Sequence, residues 1–110
     1  MAEDVPMRWH VLLFALALGA APLAADPPPP VPALDLPEIA ERISARYRGR
    51  LMEVELERPD REERRMGTRV VYEAEYLTPG DNRLTLRLDG DSGAFLSVEG
   101  VGQTEARIRP

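Results

Sequence analysis

The sequence predicts an α+β domain in which one N-terminal helix packs on an antiparallel sheet of about four strands, joined as an α-β-β-β-β meander. Two observations carry this. Between Val70 and Val98 three strand-like runs, the first two alternating with period two, are separated by two strong turn signals, Thr78–Asn82 and Gly90–Gly93. Ahead of them, Ile39, Ile43 and Tyr47 recur at helical spacing behind an acidic cap.

The chain has 110 residues, 44% hydrophobic and 30% charged, enough for one small domain once any processed segment is removed. Cysteine is absent, which excludes disulfides, thiolate catalysis and cysteine-ligated metal. All fourteen basic residues are arginine, a choice that reads as genomic base composition. A net charge of −5 and the lack of a basic stripe with interleaved aromatics argue against a nucleic-acid partner.

Val11–Ala21 (VLLFALALGAA) follows Arg8 and precedes Pro22-Leu23-Ala24-Ala25, the pattern of an export signal. The apolar run is far shorter than the roughly 20 residues that span a bilayer. Residues 1–25 are therefore expected to be a signal peptide cleaved after Ala25, with translation from either Met1 or Met7, and an uncleaved membrane anchor is the alternative. The expected location is periplasmic or secreted, with no stable membrane span after cleavage. Removal of Glu3, Asp4 and Arg8 with that segment leaves a charge of −4.

Residues 26–34 hold the run Pro27–Pro32, which suits an extended polyproline spacer better than an SH3-type ligand in an exported chain. Asp35 is the expected N-cap, Glu38 completes a capping-box-like pair, Leu34 and Ile39 sit at staple positions, and Pro37 falls in the first turn. Glu41, Arg42 and Arg46 lie away from the apolar stripe, Tyr47 is a core aromatic, and Gly49 is the expected residue after the helix end.

The first strand, Leu51–Arg58, points Met52, Val54 and Leu56 inward and Glu53, Glu55 and Glu57 outward. Three carboxylates at this spacing invite a metal or acid/base reading, but no histidine is near and arginines are at hand. A solvated edge-strand face is preferred. Pro59–Arg65 reads as a charged loop. Pairing Tyr76 with Leu84 also sets Ala74 against Leu86, Tyr72 against Leu88 and Glu73 against Arg87, so both faces agree on one register. Asp89-Gly90-Asp91-Ser92-Gly93 has the look of a calcium-loop fragment, yet Glu99 arrives after a strand, and a tight hairpin explains the same residues. The single histidine, His10, lies in the export segment, and Ser44, Ser92 and Ser97 have no base motif beside them. The tail, residues 101–110, with Gly100, Gly102 and Pro110 around it, is expected to fray.

The helix, Gly49, the strand Met52-Glu53-Val54-Glu55-Leu56, Val71-Tyr72-Glu73-Ala74, a turn at Gly80, Leu86-Arg87-Leu88-Asp89 and Ser92-Gly93-Ala94-Phe95-Leu96 together resemble a PepSY domain over roughly residues 37–100. The chain departs from that pattern in a longer, more charged loop at residues 59–66 and in Ala74, where a larger aliphatic is common. The resemblance implies a helix across a sheet of about four strands and a module that modulates peptidases. It contributes no catalytic residues, and the chain contains no HExxH motif. The expected function is a non-catalytic, exported binding or regulatory module for a peptidase or another envelope protein, without cofactor. Its contact residues would be Glu53, Glu55, Glu57, Glu73, Arg83 and Arg87 on the sheet's outer face or edge. The alternatives are an accessory sensor domain for a membrane signalling protein and a small metal- or ligand-binding protein.

Overall fold

The computed structural model describes residues 26–109, so the expected export segment lies outside the described residues. The elements are α1 (Leu36–Arg46), β1 (Arg50–Glu57), α2 (Arg61–Arg65), β2 (Val71–Leu77), β3 (Arg83–Asp89), β4 (Phe95–Glu99) and α3 (Gln103–Ala106). The strands form one antiparallel sheet in the order β1-β2-β3-β4, which gives the helix-then-meander α+β fold.

The sequence dictates α1 at its start. Asp35 holds the Glu38 amide at 3.0 Å, and Pro37 sits in the first turn, where a helix needs no amide donor. The reciprocal half of the capping box does not form here. Ile39 and Ile43 are fully buried. They pack against Tyr72, Ala74, Tyr76, Leu84, Leu86 and Leu88, each side chain of this size contributing about 1.5–3 kcal/mol by burial. The β2–β3 register is Tyr72 with Leu88, Glu73 with Arg87, Ala74 with Leu86 and Tyr76 with Leu84, as both faces of the sequence require.

The buried phenols keep their hydroxyls partnered. Tyr72 donates to the Leu34 carbonyl at 2.7 Å and Tyr76 to the Tyr47 carbonyl at 2.9 Å. Burial pushes both phenols above their ordinary pKa.

Five expectations are corrected. The helix ends at Tyr47, which turns extended and bridges to Arg107, so Gly49 is not its capping residue. Gly49 (φ +138°) lets the chain pass the end of β2, where an added methyl would stand 2.1 Å from the Leu77 carbonyl oxygen. Met52 does not point inward: a bulge between Leu51 and Glu53 leaves it 46% exposed and sets Leu51, Val54 and Leu56 opposite Tyr76, Ala74 and Tyr72. The charged loop contains the short helix α2. There Asp60 accepts from the Glu63 amide and Glu63 from the Asp60 amide, each at 2.8 Å.

The tail does not fray. Ala106 is 1% exposed in the core, the Arg48 amide donates to its carbonyl, and the Ile108 amide donates to the Arg46 carbonyl, both at 2.8 Å. The segment expected as a spacer is extended but fastened down. The Leu34 amide reaches the Gly90 carbonyl at 3.0 Å, the Ala33 amide reaches Asp91 at 2.9 Å, and Arg69 reaches the Val31 carbonyl at 2.8 Å. Arg69 spans from there to Asp91, whose pKa it holds below the ordinary carboxylate value. Asp89 spends its carboxylate on the amides of Asp91 and Ser92 and on the Thr68 hydroxyl, which is hairpin chemistry.

Gly49→Ala should lower the unfolding free energy by about 2–3 kcal/mol in urea denaturation, because both the backbone conformation and the Leu77 carbonyl oppose a side chain. A neutral result would remove this account of the α1–β1 connection.

Candidate binding surface

Because α1 covers one face of the sheet, the alternate residues of every strand stand on the other. Glu53, Glu55 and Glu57 of β1 lie beside Glu73 and Glu75 of β2, and Arg83, Thr85 and Arg87 of β3 follow. The register sets Glu53 opposite Glu75 and Glu55 opposite Glu73, pairings of like charge that destabilise a sheet.

Arg87 offsets part of this. Its guanidinium donates to Glu73 at 2.5 Å and, through Nε and Nη2, to both oxygens of Glu63 at 2.9 and 2.8 Å. Glu63 comes from α2, which folds over this end of the outer face and buries it to 5% exposure. Arg87 also reaches the Arg58 carbonyl at 3.3 Å. The hydrogen bonds from Arg87, followed by the Asp60 amide, hold the Glu63 carboxyl below the ordinary range. The two carboxylates in turn raise the pKa of Arg87.

The structure therefore divides the six residues singled out in the sequence. Glu73 and Arg87 belong to an internal ion cluster. Arg83 stands exposed at the far end of β3, opposite Leu77. Glu53, Glu55 and Glu57 remain together along β1, where Glu53 and Glu55 are exposed and Glu57 is half-buried.

Glu75, which sequence reasoning passed over, joins the strip, its carboxylate accepting from the Thr85 hydroxyl at 2.9 Å. Glu53, Glu55, Glu73 and Glu75 line a shallow cleft of about 70 Å³. The charge of Glu53, then that of Glu57 together with a shared hydrogen bond, raises the Glu55 pKa. Among the described residues no three His, Cys, Asp or Glu side chains are arranged to hold a metal ion.

The far side of β1 is an edge. Within the sheet the strand pairs with β2 alone, and among the described residues no other main-chain group bonds to Arg50–Glu57. Met52 and Leu56 lie exposed along it at 46% and 41%. The opposite edge is partly closed, since the Gln103 side chain donates through Nε2 to the carbonyls of Val98 and Gly100. Among the described residues no helix is long and apolar enough to cross a membrane. Comparison with protein-family models, with curated proteins and with solved structures returned no match.

Glu63 and Glu55 should give opposite pH signatures. A carboxyl whose pKa falls on folding stabilises above its unfolded value, near 4.3, and loses that contribution as pH falls through the folded value. Glu63→Gln should therefore cost about 2–3 kcal/mol at pH 7, and the difference should shrink below about pH 4. Glu55 has the raised pKa, so Glu55→Gln should stabilise at pH 7 and converge on the parent in acid. Urea titrations at pH 3, 5 and 7 test both, and a pH-independent difference for either would remove its assignment.

Proposed function

We propose that the chain is an exported, non-catalytic binding module of the PepSY type, which docks an extended, cationic segment of a peptidase or another envelope protein along the free edge of β1. The observation that carries this reading is the edge itself. It offers unpaired main-chain groups next to three outward glutamates and two exposed apolar side chains. An added strand takes its affinity from main-chain hydrogen bonds and its selectivity from the alternate side chains on the two faces. Opposite this edge, one face of the guest strand meets Glu53, Glu55 and Glu57 and the other meets Leu56 and Val54. The fitting guest alternates arginine or lysine with apolar residues.

A second copy is a poor guest. Antiparallel self-pairing of β1 would set one glutamate row against another, and like charges directly opposite oppose association. The export-type segment at residues 11–25 and the PepSY-like order of motifs support an envelope location and a regulatory role, and the regulation would consist of occupying a strand that a peptidase needs elsewhere.

The test is capture of partners in the chain's own cell by photo-crosslinking from position 56, with Glu53, Glu55 and Glu57 replaced by Lys in a parallel strain. The expected result is an envelope protein, crosslinked through a strand with basic residues at alternate positions, that disappears in the triple variant while the variant keeps its thermal unfolding transition. Retention of the same partner by the variant, or the absence of any crosslinked protein, would overturn edge docking.

A further inference from the structure

The second feature lies on the other side of the sheet, between α1 and β4. Arg42 and Arg46 are one helical turn apart and face the same way, and with Ala45 they form one wall of an open groove of about 590 Å³ whose floor is Gly93, Ala94 and Phe95. Both side chains are seated. Gly93 is buried beneath Arg42, and a methyl added there would lie 2.4 Å from Arg42 Cδ and Nε. The Arg46 guanidinium carbon stands 4.0 Å from the centre of the Phe95 ring, which itself packs on Tyr47 at 6.1 Å. The cation thus lies against the ring, and no protein acceptor among the described residues takes its N–H groups.

Each guanidinium carries five donors, and among the described residues neither makes an ion pair or a hydrogen bond. Glu38 and Glu41 border Arg42 on its other side, beyond ion-pair distance, and no carboxylate lines the groove. Among the described arginines only Arg69 and Arg87 form ion pairs, so what distinguishes Arg42 and Arg46 is their shared place over Gly93 and Phe95. Arg107, 5.7 Å over the Tyr47 ring, belongs to a separate pocket with Gln103, Thr104 and Arg109. The groove thus combines two held guanidinium forks with the apolar surface of Phe95, Ala45 and Ala94.

Planar forks match a carboxylate through paired N–H···O bonds, and the apolar floor suits the organic body attached to it more than a bare inorganic anion. We propose that this groove binds a carboxylate-bearing organic ligand, with Arg42 and Arg46 as its anchors and Phe95 against its apolar part. The carboxylate is either the free C-terminus of a peptide or a small organic acid. The site shares no residue with the β1 edge, so it stands or falls independently of edge docking.

The test is a titration of the full ¹⁵N-labelled chain, followed through the amides of Gly93–Phe95 and the Nε–H signals of Arg42 and Arg46. The probes are the tripeptide Ala-Ala-Phe, its C-terminal amide, citrate and inorganic phosphate. Saturable shifts with the tripeptide acid and none with its amide assign a peptide C-terminus, and saturation with citrate alone assigns a small acid. Either should weaken by at least about tenfold in Arg42→Gln/Arg46→Gln, whose β2–β3 signals should stay in place. The proposal is overturned if neither carboxylate saturates, if the amide or phosphate binds as tightly, or if the double variant keeps its affinity.

Discussion

Two hydroxyl groups on β2 determine where everything else can sit. Tyr72 and Tyr76 point to the core face of the same strand, and their hydroxyls end on backbone carbonyls at opposite ends of α1, Leu34 just before it and Tyr47 just after. Four residues of strand advance about 13 Å and eleven residues of helix about 16 Å, a match close enough for two phenols to bridge. The helix is thereby laid across the sheet with Ile39 and Ile43 over the rows formed by Ala74, Leu84, Leu86 and Leu88. Neither tyrosine can be replaced by phenylalanine without orphaning a carbonyl at a helix boundary, so the same residues supply burial and position.

One helix covers one face, and the chain must solve the other face by charge. It does so unevenly. Arg87 draws Glu63 and Glu73 into a partly buried cluster that fixes α2 against β2 and β3. Among the described residues no comparable cation pairs with Glu53 or Glu55, although each faces another glutamate across the β1–β2 ladder. A sheet selected for stability alone gains by alternating charge at such positions. The repulsion lies along an open edge, where a row of like charges opposes pairing with a second copy.

Legibility in the sequence followed how local the deciding contact was. The β2–β3 register was readable because an apolar row and an ion pair demanded the same alignment, and the Asp35 cap because it needs a residue only three positions away. Met52 misled because strict alternation runs straight through the bulge; only the demand that Leu51 and Val54 both meet β2 reveals it. Asp60 and Glu63 form a capping box that was visible in principle, but seven consecutive residues rich in charge read as a loop. That Glu63 then meets Arg87, 24 positions away, depends on how α2 folds back, which no local pattern encodes. The tail failed for the same reason. Two glycines suggested fraying, whereas Ala106 is held by a core assembled from strands far away in sequence.

The arrangement also decides how the two exposed surfaces relate. Strand order puts β1 and β4 at opposite edges, with two strands between them, about 14 Å apart at the usual interstrand spacing. The groove draws on α1 and on Gly93–Phe95 at the start of β4, the open edge on β1, and they have no side chain in common. Sites so separated and without shared partners contribute independently to free energy, so coupling between them requires an element that touches both. Among the described residues α1 is the element that lies across the sheet and also walls the groove, and Tyr72 and Tyr76 pin it at both ends. With the helix held this way at both ends, the β1 edge and the groove beside β4 are set by one rigid core and not by each other.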